Sequence, residues 1–191
     1  SYYQGQDGTA KVKMTITDAQ NRTRSREFVI LRRDVPTSDN VADRSYEGPQ
    51  KMYVYFKRPA DVNKMVFMVL KNITTDDNRW LYLPALDLVK RIAASDKRTS
   101  FVGSDFLYED VSGRSLAADT HTLIGTDANY YIVENTPVAA DEVEFSKYVM
   151  YIHKTTYLPI STEYYDKQGE KYKTYTALAV DTVQGRPTIT K

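Results

Sequence analysis

"SKYVMYIHKTTYLPISTEYYD" occupies residues 146 to 166. Large side chains recur at every second position, Tyr148, Met150 and Ile152 among them, until the chain reaches K-T-T and a second alternating run begins at Tyr157. A period of two is that of a β-strand with one dry and one wet face, and so short a turn joins sequential strands as a hairpin. The same grammar continues outward: "THTLIG" (120 to 125), "NYYIVEN" (129 to 135) and "KYKTYTALAV" (171 to 180) are set off by "TDA" and "DKQG". This half of the chain therefore reads as an antiparallel meander.

The first half follows the same rule. "KVKMTIT" (11 to 17) puts Val12, Met14 and Ile16 on one face, and "REFVILRR" follows after the turn "DAQNR". "KMYVYFK" (51 to 57) opposes Met52, Val54 and Phe56 to Tyr53 and Tyr55. "KMVFMVLK" (64 to 71), which contains Phe67, and "RWLYLP" (79 to 84) are apolar on both faces and predict strands covered twice. Residues 34 to 50 are polar, hold two Pro and keep no period, which suits a long loop or an edge segment. "ALDLVKRIAASDK" after Pro84 places Leu86, Val89, Lys90 and Ala93 at helical three and four spacing but also alternates, and its first half is read as strand.

Composition sets the limits. The 191 residues suffice for one domain, 1 to 191, with 41% hydrophobic and 27% charged residues. Lys and Arg number 26 against 25 acids, so no general field draws in nucleic acid. With no Cys, disulfides and thiolate metal sites are impossible. The longest apolar run, "MVFMVL", is far below the span of a membrane helix, so no transmembrane segment is expected. The opening "SYYQGQDG" is already strand-like, as in a mature or trimmed product.

Helix signals are scarce. "SDFLYEDVSG" is the best, with Ser104 as N-cap, Asp105 in the first turn, Leu107 and Val111 on one stripe with Phe106 beside it, and Gly113 just past the end. Glu109 and Asp110 are then expected to face solvent. A sheet of about ten strands curls, and its interior holds a small ligand unless something fills it. The segment from Phe101 to Val111 is the natural plug or lid.

Nothing in the chain spells an enzyme. The two His lie in separate strands, and no nucleophile elbow, phosphate-binding loop or dinucleotide fingerprint is present. An esterase or glycan hydrolase would require a His and a carboxylate meeting in one cleft. The basic stretches "NRTRSRE" and "VKRIAASDKR" suit an acidic partner or phospholipid headgroups, although such charges are more commonly a strand's solvated face. The 16 Tyr pack across strands or line an amphipathic cavity, Trp80 and Tyr82 being the best candidates for the second role.

"RWLYLPALDLVKRI", "SFVGSDFLYEDV", "YYIVENTP" and "YVMYIHKTTYLPISTEYYDKQGEKYKT" together resemble the outer-membrane lipoprotein-sorting protein family, relatives of the LolA and LolB carriers. The likeness is greatest to the branch that accompanies RND-superfamily exporters. Trp80, Tyr82 and Pro84 match its W-L-Y-x-P element, and Gly103, Ser104, Asp105, Phe106, Tyr108, Glu109 and Asp110 match its G-S-D-F element. The carriers begin with a helix, whereas this chain begins on a Tyr-rich strand.

The resemblance implies a mainly β fold, an unclosed antiparallel half-barrel whose concave apolar side is covered by short helices. It implies a non-enzymatic periplasmic carrier of a Gram-negative cell, at or near the outer membrane, without cofactor or metal. Its partners would be a lipid or acylated protein and an RND-type exporter. Periodicity nominates Met52, Val54, Phe56, Phe67, Tyr148, Met150 and Ile152 as the cavity wall, alongside Trp80 and Tyr82. The competing expectation is a structural adaptor whose sheet interior is filled by its own side chains.

Overall fold

The structure, a computed structural model, describes residues 5–35 and 48–191. Most of the polar stretch expected as a loop or edge segment, and the first four residues, lie outside the described residues. The chain divides into two compact units, Gly5–Arg114 and a second whose described residues are Ser115–Lys191.

In the first unit six antiparallel strands follow chain order across one sheet: β1 (Asp7–Thr17), β2 (Thr23–Asp34), β3 (Gln50–Arg58), β4 (Val66–Lys71), β5 (Asn78–Leu83) and β6 (Leu88–Ile92). In the second, β7 (Asp119–Thr126), β8 (Tyr130–Pro137), β9 (Phe145–His153), β10 (Pro159–Asp166) and β11 (Lys171–Thr176) form a five-stranded meander. A separate ribbon pairs β12 (Val180–Val183) with β13 (Arg186–Ile189). The expected character is present: mainly β, antiparallel, open rather than closed into a barrel, with few and short helices.

Hydrogen bonding shares the strands between sheets where the sequence predicts one. Ala93 to Ala118 interrupt the ladder with short 3-10 turns and one helix, α1 (Tyr108–Ser112). The ribbon strand β13 leaves no signature in the sequence, because Arg186 to Ile189 is too short and mixed to show a period.

Several hairpins share one device. Asp18 Oδ1 accepts the backbone N–H groups of Gln20 and Arg22, Asp127 Oδ1 those of Asn129 and Tyr130, and Asp166 Oδ1 those of Gln168 and Glu170. An aspartate at the start of a turn thus satisfies donors that the reversing chain removes from the ladder. Those donors favour the charged carboxylate, and both Asp18 and Asp127 titrate below the ordinary range.

Candidate functional site

Directly paired residues on antiparallel strands point to the same side, so register defines rows across a sheet. One row of the first unit runs Ile30, Val54, Phe67, Leu81 over β2 to β5, and the next holds Met52 and Val69. Phe28 and Phe56 pair beside them. Val54, Phe56 and Phe67 are fully buried, and these residues form the main core cluster. Four of the nominated wall residues, Met52, Val54, Phe56 and Phe67, are therefore brought together on one face.

What covers that face is the G-S-D-F segment. Val102 and Gly103 both adopt positive φ (48° and 74°) and fold the chain back after Phe101. The Phe101 ring, 1% exposed, then lies with its centroid 5.7 Å from Phe56, 5.6 Å from Phe67, 6.2 Å from Phe28 and 5.6 Å from Tyr108. Tyr108 is itself 5.0 Å from Phe67, and burial pushes its hydroxyl pKa up. Val111 packs on the same cluster. Phe106, by contrast, is exposed. The plug expected from sequence sits on the wall, and its own aromatic rings occupy the space beneath it.

The helix is shorter than expected, and Ser104 is not its N-cap. Ser104 Oγ donates to the Phe101 carbonyl at 2.7 Å and accepts from the Phe106 N–H at 3.2 Å, closing the preceding turn. This local competition for backbone groups moves the helix start downstream. Asp110 supplies the cap instead, its carboxylate accepting the Leu107 N–H at 2.8 Å. Gly113 ends the helix as expected, with φ 82°.

A second correction concerns the acids. Glu109, expected to face water, is 4% exposed and accepts from Arg98 at 2.7 Å and Arg114 at 3.1 Å, with Lys97 at 4.0 Å. Burial of a carboxylate is tolerable only with such partners. At the other end of α1, Lys71 Nζ donates to the carbonyls of Ser112 and Gly113 at 3.2 and 2.6 Å, and Arg79 donates to Ser112 Oγ at 3.1 Å. Asp77 accepts from Arg79 at 2.8 Å and lies 3.9 Å from Lys71. Burial depresses the Lys71 pKa, an effect the Asp77 charge partly offsets. The cover is thus fixed by aromatic packing below and a polar anchor at each end.

Trp80 and Tyr82 are not on this wall. Register places Trp80 in a row with Leu31, Tyr53, Met68 and Arg91, and Tyr82 in a row with Val29, Tyr55, Val66 and Val89, on the opposite side of the sheet. They are half-buried rather than buried, so the expectation that β4 and β5 are fully covered on both faces holds only for the inner one. The physical reason is parity: Arg79, Leu81 and Leu83 take the inner positions of β5, and the aromatic residues fall between them. Tyr82 donates its hydroxyl to Asp87 at 3.0 Å, and that bond raises its pKa.

Tyr148, Met150 and Ile152 belong to the second unit. Met150 lies in a row that crosses all five strands, Leu123, Val133, Met150, Thr162 and Tyr175. The adjoining row on the same face is His121, Asn135, Tyr148, Tyr164 and Lys173. Its centre is closed: Tyr148 stacks on Tyr164 at 4.9 Å, donates to Asp119 at 2.9 Å and packs on Phe145. The apolar row ends openly, Leu123 being 60% exposed. Buried Asn135 has its Oδ1 2.6 Å from His121 Nδ1, and its Nδ2 donates to backbone carbonyls. Neither alternation nor motif disclosed this polar row, since its members come from five strands and only register aligns them.

Among the described residues no group of three or more His, Asp or Glu side chains is placed to hold a metal ion, and no helix is long and apolar enough to cross a membrane.

Comparison with solved structures finds chains of similar fold. A DUF1329 family protein from Desulfovibrio piger superposes with a TM-score of 0.83 at 28% identity, covering 99% of this chain and 78% of that one. A domain described as that of a candidate outer membrane lipoprotein-sorting protein from Vibrio parahaemolyticus gives 0.78 at 27% identity, over 94% and 73% of the two chains. A LolA superfamily protein from Nitrosomonas europaea gives 0.66 at 15% identity, over 98% and 77%, and so shares the fold. Curated proteins offer no match. A family model described as "Uncharacterized protein" matches residues 48–191. The chain therefore belongs to the family that this model defines, and its structural neighbours are DUF1329 family and LolA superfamily proteins, the fold of outer membrane lipoprotein-sorting domains.

Proposed function

We propose that the protein is a carrier that holds an acyl chain or another hydrophobic ligand against the wall formed by Met52, Val54, Phe56 and Phe67. Residues 1 to 191 act in this reading as one domain, in the periplasm of a Gram-negative bacterium and in partnership with a membrane exporter of RND type. The neighbour described in terms of lipoprotein sorting, at 27% identity over 94% of the chain, supports the class of cargo.

The observation that carries the reading is the nature of the cover. Within the first unit the wall is packed by a short segment containing one five-residue helix, whose Phe101 and Tyr108 rings lie in the apolar layer. Two such rings bury an area comparable to that of a medium acyl chain, and each methylene of a chain contributes about 0.8 kcal/mol. Exchanging the rings for a ligand is then nearly balanced, so a modest bias from a partner suffices to load or release cargo. No catalytic step is assigned to any residue.

The test is mass spectrometry of organic extracts from the purified protein, together with a fluorescent fatty-acid titration. Co-purifying lipid and saturable binding support the carrier. Their joint absence favours the second reading, a structural adaptor docking on a transporter complex, for which the filled state of the wall is the specific observation.

A further inference from the structure

Two arginines at the start of β2, Arg24 and Arg26, share the core-facing side of their strand. They pair directly with Ile16 and Met14, and they share the phase of Phe28 and Ile30, which pack in or against the main core cluster. Lys11 and Lys13, opposite Val29 and Glu27, take the other side. Met14 and Val12 lie half-buried against the core and Ile16 is half-buried beyond them, so this face runs from a filled aromatic zone, through an apolar strip, to guanidinium groups at the β1–β2 turn.

These guanidinium groups are poorly supplied with acceptors. Arg26 is 11% exposed, yet its Nη1 donates only to the carbonyl of its neighbour Ser25 at 3.2 Å. Its Nη2 lies 3.5 Å from Asp61, a residue 63% exposed, and its Nε is buried with no hydrogen-bond partner. Arg24 has no hydrogen bond or ion pair among the described residues, and Asp18, whose carboxylate feels its charge, is held by Arg22 at 2.8 Å. A depression of about 340 Å³ is lined by Asp18, Arg22 and Arg24. A buried donor without an acceptor is costly, and a planar fork of donors is matched by a carboxylate or phosphate.

We infer that Arg24 and Arg26 form an oxyanion site at the end of the apolar strip of β1 and β2, and that it receives the carboxylate or phosphate headgroup of an acyl amphiphile whose chain lies along Met14 and Ile16. The inference rests on the carrier reading and narrows it: the cargo is an anionic lipid, not an acylated protein with an uncharged anchor. The guanidinium pair makes the site selective for headgroup charge, while the strip accepts chains of varied length.

The test is displacement of the uncharged fluorescent probe N-phenyl-1-naphthylamine by palmitate, palmitoyl-lysophosphatidylglycerol and palmityl alcohol. The two anions are expected to displace it on the order of tenfold more tightly than the alcohol, with the advantage shrinking as salt rises. Whichever anion gains more identifies carboxylate or phosphate as the preferred head. In the R24Q/R26Q double variant the advantage disappears while alcohol binding is unchanged. R24Q alone, at an exposed position, halves the advantage or more and serves if the double variant does not fold. Equal affinity for the alcohol and both anions in the native protein, or an advantage that survives in R24Q/R26Q, overturns the inference and leaves the carrier standing. Failure of the probe and of all three amphiphiles to bind overturns the carrier reading itself.

Discussion

Replacing Phe101 by alanine removes the ring on which the cover rests. The side chain is 1% exposed and touches four aromatic rings, with centroids between 5.6 and 6.2 Å away. Truncating a buried Phe costs about 3–5 kcal/mol, made up of lost transfer energy, the cavity left behind and the edge-to-face contacts. For a chain of 191 residues that is a fall in melting temperature of roughly 10 °C. Urea unfolding followed by far-UV circular dichroism reads the loss as a lower midpoint at unchanged slope. Because Phe101 competes with cargo for the wall in the carrier reading, the same variant binds a fluorescent fatty acid more tightly than the native protein, and bound ligand restores part of the lost stability. A destabilisation under about 1 kcal/mol would show that the ring is not clamped as described. Full destabilisation without any gain in ligand affinity refutes the idea that plug and cargo share one space.

Three further perturbations follow from the anchors. Glu109→Gln leaves Arg98 and Arg114 facing a neutral group in a buried setting, so a loss of about 3 kcal/mol is expected in urea unfolding, whereas exposed Asp105→Asn changes stability by no more than about 0.5 kcal/mol. Asp110→Ala removes the acceptor for the Leu107 N–H and costs about 1 kcal/mol, measured in the same way. Burial holds the Lys71 pKa below its usual 10.5, so the unfolded chain binds that proton more tightly and stability rises with pH between the depressed folded value and 10.5. Lys71→Met lacks this rise, and stability profiles of the two proteins diverge in favour of the native one towards alkaline pH; parallel profiles would contradict the assignment.

The parts of the fold that alternation controls were legible in the sequence. Met52, Val54 and Phe56 against Tyr53 and Tyr55 indicate strand, parity and inner face at once, and the structure places the first three in the core. Parity within one strand says nothing about which side of a neighbour it matches. The sequence pattern thus points to Trp80 and Tyr82 as wall residues, whereas register puts them behind it. The G-S-D-F segment stands out from the alternating strands in the sequence, but the detail of its packing is hidden for another reason. Ser104 can cap a helix or close a turn with the same hydroxyl, and Glu109 looks like any exposed helical acid until Arg98 and Arg114 arrive beside it from flanking positions. The inward arginines of β2 were masked because a run of charge on a strand ordinarily marks solvent, and only pairing with Ile16 and Met14 reveals the reverse.

Among the described residues the cover makes one isolated bridge, Ser100 to Leu107, and otherwise takes no part in either sheet's ladder. Its detachment therefore breaks no strand pairing and need not await global unfolding. Residues 100 to 113 are therefore expected to open as a unit of their own, their amide protons exchanging with solvent deuterium before those of β3 and β4 beneath them; exchange in step with β3 and β4 would refute this. In the carrier reading, the opening free energy of that segment, read from the exchange rates, is the intrinsic cost that cargo has to offset.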